Sequence, residues 1–227
     1  MTARILIVLV QFFMFTALFS QVQETRNLSP FTKVKVSDNI TVTLIPAQEN
    51  KIEIFPKNIM NEKIITSVVN DEFVIKTEGI LNDADIKTIL YYNQPIEKIT
   101  PTFGGLAKCD VELNSNELII DANLDGFTNL LVNTKKITVY AGQGSDVYVS
   151  GKSEMVNIDA SSGSKVKMEK LVCTDAAAKS ILGAKVWISP AQHFDAKAVS
   201  GGKIYYRQLP SGNFSKNYSL GGQILME

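Results

Sequence analysis

The chain is 227 residues long, with 23 basic and 23 acidic side chains, one histidine and two cysteines. Balanced charge leaves no basic surface to neutralise phosphates, which excludes a nucleic-acid partner. Two cysteines are too few for a disulfide framework, so an apolar core must hold the fold.

Residues 1–20 read as a leader. Arg4 is their one charge, Ile5 to Phe19 is an apolar run with few interruptions, and Ser20 is a small residue before Gln21. A basic start, a short apolar core and a small residue at its end form the pattern of a cleavable signal peptide. The run is short of the about 20 apolar residues that a membrane-spanning helix needs. No cysteine lies near Ser20 to carry a lipid, and no later segment is long and apolar enough to cross a bilayer. The expectation is an exported protein, in the periplasm, at the cell surface or secreted.

From about Phe31 to Thr100 the pattern is β without repetition. Val34, Val36, Ile40, Val42 and Leu44 alternate with polar residues, and Ile52 and Ile54 follow. Val69-Asn70-Asp71-Glu72-Phe73 reads as a hairpin turning at Asn-Asp, and Ile86 to Tyr92 as a strand stopped before Pro95. Asn58 to Ser67 has no clear pattern. No helix longer than a turn or two is written in residues 28–227, and no linker divides them, so they are expected to form one domain.

A phrase then recurs: glycine, a small residue, a polar residue, an aliphatic residue. It appears as Gly144-Ser145-Asp146-Val147, Gly163-Ser164-Lys165-Val166, Gly183-Ala184-Lys185-Val186, Gly201-Gly202-Lys203-Ile204 and Gly221-Gly222-Gln223-Ile224. The glycines are 19, 20, 18 and 20 residues apart. Lys108-Cys109-Asp110-Val111 and Phe127-Thr128-Asn129-Leu130 are looser copies. Each phrase continues with alternate apolar residues, and most units carry a second strand ending near an apolar-Asp-Ala triplet, as in Ile120-Asp121-Ala122 or Ile158-Asp159-Ala160. No such unit can bury its apolar face alone, but stacked units share a core. The prediction is an all-β fold: a right-handed parallel β-solenoid of about seven coils over residues 105–227, with a β cap at about 31–100.

The segment Phe31-x-x-Val34-x-Val36-Ser37-Asp38-Asn39-Ile40-x-Val42-x-Leu44, then Pro95-Ile96-x-x-Ile99, then the Gly-Ser-Asp-Val phrases resemble the putative auto-transporter adhesin, head GIN domain family of secreted Bacteroidetes proteins. Asp38 stands where that family more often has glycine. The resemblance implies a right-handed parallel β-helix-like fold and export, and it brings no catalytic residues.

No residue set calls for catalysis. His193 is the only histidine, and Gly142-Gln143-Gly144-Ser145-Asp146 is not a nucleophile elbow. Counting back from the triplets places His193 and Cys173 outward, while Cys109, at the small position of its phrase, is expected inside. Their separation predicts no bridge. Asp121, Asp159, Asp175 and Asp195 could form a discontinuous ladder of carboxylates; Asp159, Asp175 and Asp195 are thus the candidate metal ligands, although a solvated face is the expectation and no cofactor is implied. Lys165, Lys185 and Lys203 form a possible basic stripe, and Trp187 and Tyr205 point outward, as sugar-stacking or partner-contacting aromatics do. The candidate ligand-binding residues are therefore Trp187, Tyr205, Lys165 and Lys185. The function expected is a non-catalytic binding or adhesion module for a surface glycan or protein. The alternatives are a structural or assembly protein of the cell envelope, associating as a homo-oligomer, or a polysaccharide-active enzyme.

Overall fold

The computed structural model describes residues 24–79 and 85–227, so the leader lies outside the described residues. The elements in chain order are β1 (Glu24–Asn27), β2 (Lys33–Val36), β3 (Ile40–Pro46), β4 (Lys51–Lys57), a 3₁₀ turn (Asn61–Lys63), β5 (Ile64–Val69), β6 (Glu72–Thr77), β7 (Asp85–Tyr92) and β8 (Lys98–Pro101). The long strands β9 (Leu106–Ala122), β10 (Phe127–Ala141), β11 (Asp146–Ala160) and β12 (Lys165–Ile181) follow. Shorter ones end the chain: β13 (Lys185–Trp187), β14 (His193–Val199), β15 (Lys203–Tyr206), β16 (Phe214–Ser219) and β17 (Gln223–Met226).

From β9 onward every strand runs parallel to its counterpart in the next turn of a solenoid. Each long strand bends in the middle and so forms two walls. In β11, Val147 and Val149 face inward before the bend, and Val156, Ile158 and Ala160 face inward after it. There are about six turns rather than seven, because β17 opens a further turn without completing it.

The recurring phrase forms one corner. Two consecutive residues there have positive φ: Gln143–Gly144, Ser162–Gly163, Leu182–Gly183, Ser200–Gly201 and Leu220–Gly221. A two-residue turn with both centres left-handed is type I′, in which glycine is favoured because it has no Cβ to clash. The small residue that follows is buried. Ser145 and Ser164 are wholly enclosed, and their hydroxyls donate to the carbonyls of Ala122 (2.9 Å) and Ala141 (3.0 Å) in the turn before. In other turns even a methyl does not fit: a Cβ on Gly202 would lie 2.1 Å from the Ser180 carbonyl oxygen.

The two looser copies lie in a different register from the one expected. Asp146 pairs with Phe127, and Phe127 with Leu106, so the true counterparts of the phrase are Asp125-Gly126-Phe127-Thr128 and Gly104-Gly105-Leu106-Ala107. Phe103–Gly104 and Leu124–Asp125 make the same left-handed corner. Cys109 aligns with Leu130 and Val149 rather than with Ser145. It is buried as expected, but in the middle of a wall.

The N-terminal segment is partly solenoid. β2 lies between β6 and β8, and β3 between β7 and β9, all parallel, with Asp38–Asn39 forming an eighth left-handed corner in line with the rest. Antiparallel strands then close that end: β4 on β7, β1 on β4, and β5 on β6. The β5–β6 hairpin turns at Asn70–Asp71, both left-handed, as the sequence predicts. Arg26 staples the closure, donating to the Ile64 and Asn61 carbonyls (2.7 and 3.1 Å) and Thr66 Oγ1 (3.0 Å) while paired with Glu24 at 2.7 Å.

Cys173 faces inward, against expectation. It sits at the bend of β12, where Thr174 and Asp175 both lie between the buried Cys173 and the buried Ala176, so counting back by twos from Asp175 crosses a reset of the alternation. Cys109 and Cys173 stand in different side-chain columns, three turns apart, and both are free.

Candidate functional site

Parallel in-register stacking sets equivalent side chains one above another at about 4.8 Å, so every outward position becomes a column along the solenoid axis. On the wall that follows the regular corner, Asp146, Lys165, Lys185, Lys203 and Gln223 form one column. Tyr148, Lys167, Trp187, Tyr205 and Leu225 form the next. All four expected ligand-binding residues therefore share one face, joined by Lys167. Lys165 Nζ lies 3.6 Å from Asp146 Oδ1, whereas Lys185 and Lys203 have no ion-pair partner among the described residues.

The aromatics, however, face one another. The Trp187 and Tyr205 rings stack at 4.9 Å and 12°. The Lys167 ammonium lies 5.3 Å from the centroids of both Tyr148 and Trp187, and the Trp187 indole N–H donates to Glu227 Oε1 at 3.2 Å. Tyr148, Lys167, Trp187 and Tyr205 make a ladder that ties successive turns together, and a ring face occupied by its neighbour is not free for a sugar.

On the opposite wall the register breaks up the expected carboxylate ladder. Asp121 and Asp159 share a column with Tyr140, Lys179 and Lys197. Asp195 falls in the neighbouring column, with Thr138, Asn157 and Ala177, and Asp175 in a third, with Lys136, Met155 and His193. The triplets do not occupy equivalent positions: Asp175 lies four residues, and Asp195 two residues, before the column that Asp159 shares with Lys179 and Lys197. Neighbouring side chains take up most of the carboxylates: Asp121 pairs with Lys98 (3.0 Å) and Asp159 with Lys179 (3.1 Å), and Asp175 is hydrogen-bonded to the His193 imidazole (2.7 Å). Among the described residues no three of His, Cys, Asp or Glu converge as metal ligands.

The same three columns create a groove that sequence reasoning missed. Short side chains in the middle column form its floor, and longer ones in the flanking columns form its walls. The trough is about 490 Å³ in volume, floored by Thr138, Asn157, Ala177 and Asp195 and walled by Tyr140, Lys136, Lys179 and Lys197. Tyr140 is half exposed. The signal was present as a run of short residues at one register position, but it is visible only once the register is known.

Burial pushes both thiols up to about 11, with the Asp175 carboxylate adding to the effect at Cys173. Neither is a thiolate at neutral pH. The His193 imidazole has Asp175 as its hydrogen-bond partner, with no serine, threonine or cysteine bonded to its other nitrogen among the described residues.

The match to known proteins now becomes specific. The model of the putative auto-transporter adhesin, head GIN domain family matches residues 30–210. The chain belongs to this family. Among solved structures it is similar to a putative adhesin from Bacteroides fragilis NCTC 9343, with a TM-score of 0.79 and 16% identity over 91% of this chain and 96% of that one. It is similar as well to a putative adhesin from Parabacteroides distasonis ATCC 8503 (TM-score 0.75, 11% identity, 90% and 96% coverage). A putative lipid binding protein from the same organism shares the fold (TM-score 0.68, 13% identity, 90% and 96% coverage). No curated protein matches in sequence. At such identities the structural likeness speaks for the fold alone, and this head GIN domain chain carries its own surface chemistry on it.

Proposed function

We propose that this protein is an exported, non-catalytic binding or adhesion module that holds an extended partner, a surface glycan or a protein, along the outward columns of its solenoid. The observation that carries the reading is the groove on the wall of Asp159 and Asp195. It runs with the axis across four successive turns and offers hydroxyl, amide, carboxylate and ammonium groups beside a half-exposed tyrosine. Such a mixture of donors and acceptors suits the hydroxyl groups of a carbohydrate or the backbone of a peptide. The lysine and aromatic face that holds Lys165, Lys185, Trp187 and Tyr205 is the second candidate contact. Paired aspartates and protonated, buried thiols favour binding over catalysis.

Glycan-array binding of the purified protein tests this, with Ala177→Trp to fill the groove floor and Trp187→Ala with Tyr205→Ala to dismantle the ladder. Loss of binding in Ala177→Trp supports the groove, and loss only in the aromatic variant moves the site to the other face. Release of reducing ends from a polysaccharide by the wild-type protein overturns the non-catalytic reading.

A second reading, assembly, has an observation of its own. Among the described residues β16 and β17 have a neighbour on one side only, and Leu209, Tyr218, Leu225 and Met226 are exposed there. Apolar edge strands pair with further strands. Light scattering that reports a dimer in wild type and a monomer in Leu225→Lys favours this role.

A further inference from the structure

The regular corner stacks into a ridge, and its first left-handed position holds residues that the turn does not favour. A type I′ turn prefers asparagine, aspartate or glycine there, because a bulky side chain at positive φ is strained. Leu182 and Leu220 occupy it with φ of 49° each. They are also 59% and 78% exposed, so burial does not offset the strain. A strained backbone holding exposed apolar side chains is the kind of outlier from which a function can be inferred.

The surroundings give the ridge a character. Ile181 and Val199, half-buried and paired across successive turns, broaden its apolar tip beside Leu182. On one flank stand Lys185 and Lys203, which have no ion-pair partner among the described residues. On the other stand Lys179 and Lys197; of these Lys179 pairs with Asp159, and Lys197 has no such partner. Asp195 lies one column further from the ridge, in the groove floor. The chain as a whole is neutral, so this concentration of lysines around an apolar tip is local.

From this we infer that the C-terminal part of the ridge, with Leu182 and Leu220 at its tip, is a wedge that docks on an anionic lipid surface. The leucines enter the interfacial layer and the lysines on both flanks meet the headgroups. Apolar tips framed by basic residues are how peripheral proteins hold such membranes, and the two contributions act together. The wedge lies between the two candidate binding faces, and its flanking lysines border both of them. The inference goes beyond the binding role proposed above and does not need it.

Co-sedimentation of the purified protein with vesicles tests it. One set is phosphatidylcholine alone, the other equal parts of phosphatidylcholine and phosphatidylglycerol. The protein is expected to sediment with the anionic set, and raised salt is expected to release it. Leu182→Asn with Leu220→Asn is the decisive variant, because asparagine suits the left-handed turn better than leucine. Its melting temperature is expected to rise while its vesicle affinity falls about tenfold or more, so misfolding cannot account for the loss. Lys185→Gln with Lys203→Gln is expected to weaken binding to the anionic set. Ala177→Trp, which fills the groove, is expected to leave vesicle binding unchanged, separating this inference from the proposed function.

Sedimentation of neither vesicle set overturns the wedge. So does equal binding by wild type and the asparagine variant, or by wild type and the glutamine variant. A self-association that the asparagine variant abolishes, without vesicle binding, assigns the leucines to a contact between copies and overturns it as well.

Discussion

Each turn of the solenoid has two corners, and they are made differently. The regular corner uses the same two left-handed residues eight times, followed in the later turns by a buried small residue. The opposite corner has no common plan. It is a bend at Gly151 in β11, where φ is +107° and a Cβ would lie 2.1 Å from the Val132 carbonyl oxygen. It is a bulge in β12 and a break between β13 and β14 that includes Pro190. The regular corner sets the stacking register, and the variable one absorbs the differences in turn length. Both walls therefore keep their columns, and the aspartates scatter because Asp159, Asp175 and Asp195 stand at different distances before the corner, whereas Lys165, Lys185 and Lys203 all stand at one position after it.

The largest expected effect lies at the regular corner. Gly202→Ala drives a methyl against the Ser180 carbonyl and is expected to cost about 2–4 kcal/mol in urea unfolding. Gly212→Ala, on the variable side, meets the movable ring of His193 at 3.1 Å and the Gln192 carbonyl at 2.9 Å, and is expected to cost well under half as much. Equal losses would break the distinction between the corners.

The two thiols sharpen it next, since both lie on walls leading into the variable bend. In the unfolded chain a thiol ionises near 9, whereas burial holds Cys109 and Cys173 near 11. The unfolded state therefore releases its protons first, and stability present below about pH 9 is lost as pH rises toward 11. Each thiol contributes up to about 2 kcal/mol to this loss. Thermal melts from pH 8 to 11 should show the decline, and it should shrink in Cys173→Ala. An unchanged slope would show that this thiol is not the source.

Ser164→Ala removes a buried hydroxyl that bonds one turn back, at an expected cost of about 1 kcal/mol. The methyl itself is tolerated, as Ala184 occupies the same position natively. The smallest effect is expected from inserting one glycine after Leu209, an exposed position on the variable side, at about 0.5 kcal/mol or less.

Much of the fold was legible because the regular corner is a local device. A left-handed pair needs glycine or a tolerant residue at one position, and a small residue must follow where the chain approaches the turn before. Those demands write Gly144-Ser145 and its successors into the chain at nearly constant spacing. Two of the earlier corners escaped notice because Asp125 and Asn39 stand where the later turns have glycine, and both tolerate positive φ well enough to do so; at the third, Gly104-Gly105 is followed by Leu106 where the phrase has a polar residue. Trp187 and Tyr205 outward followed from strict alternation within a short strand, where no bend intervenes. Cys173 did not follow, because the alternation resets at the bend of β12.

What the sequence by itself determined is the solenoid, its left-handed corner and the face shared by Lys165, Lys185, Trp187 and Tyr205, since each is set by residues a few positions apart or by one repeated phrase. Only the tertiary structure decided which turn sits on which, and hence that Trp187 and Tyr205 cover each other, that Asp159, Asp175 and Asp195 fall in three separate columns, and that short side chains line up into a groove. Pairing between strands about twenty residues apart depends on the length of every intervening bend, and an extra residue there changes which position in the sequence meets which column.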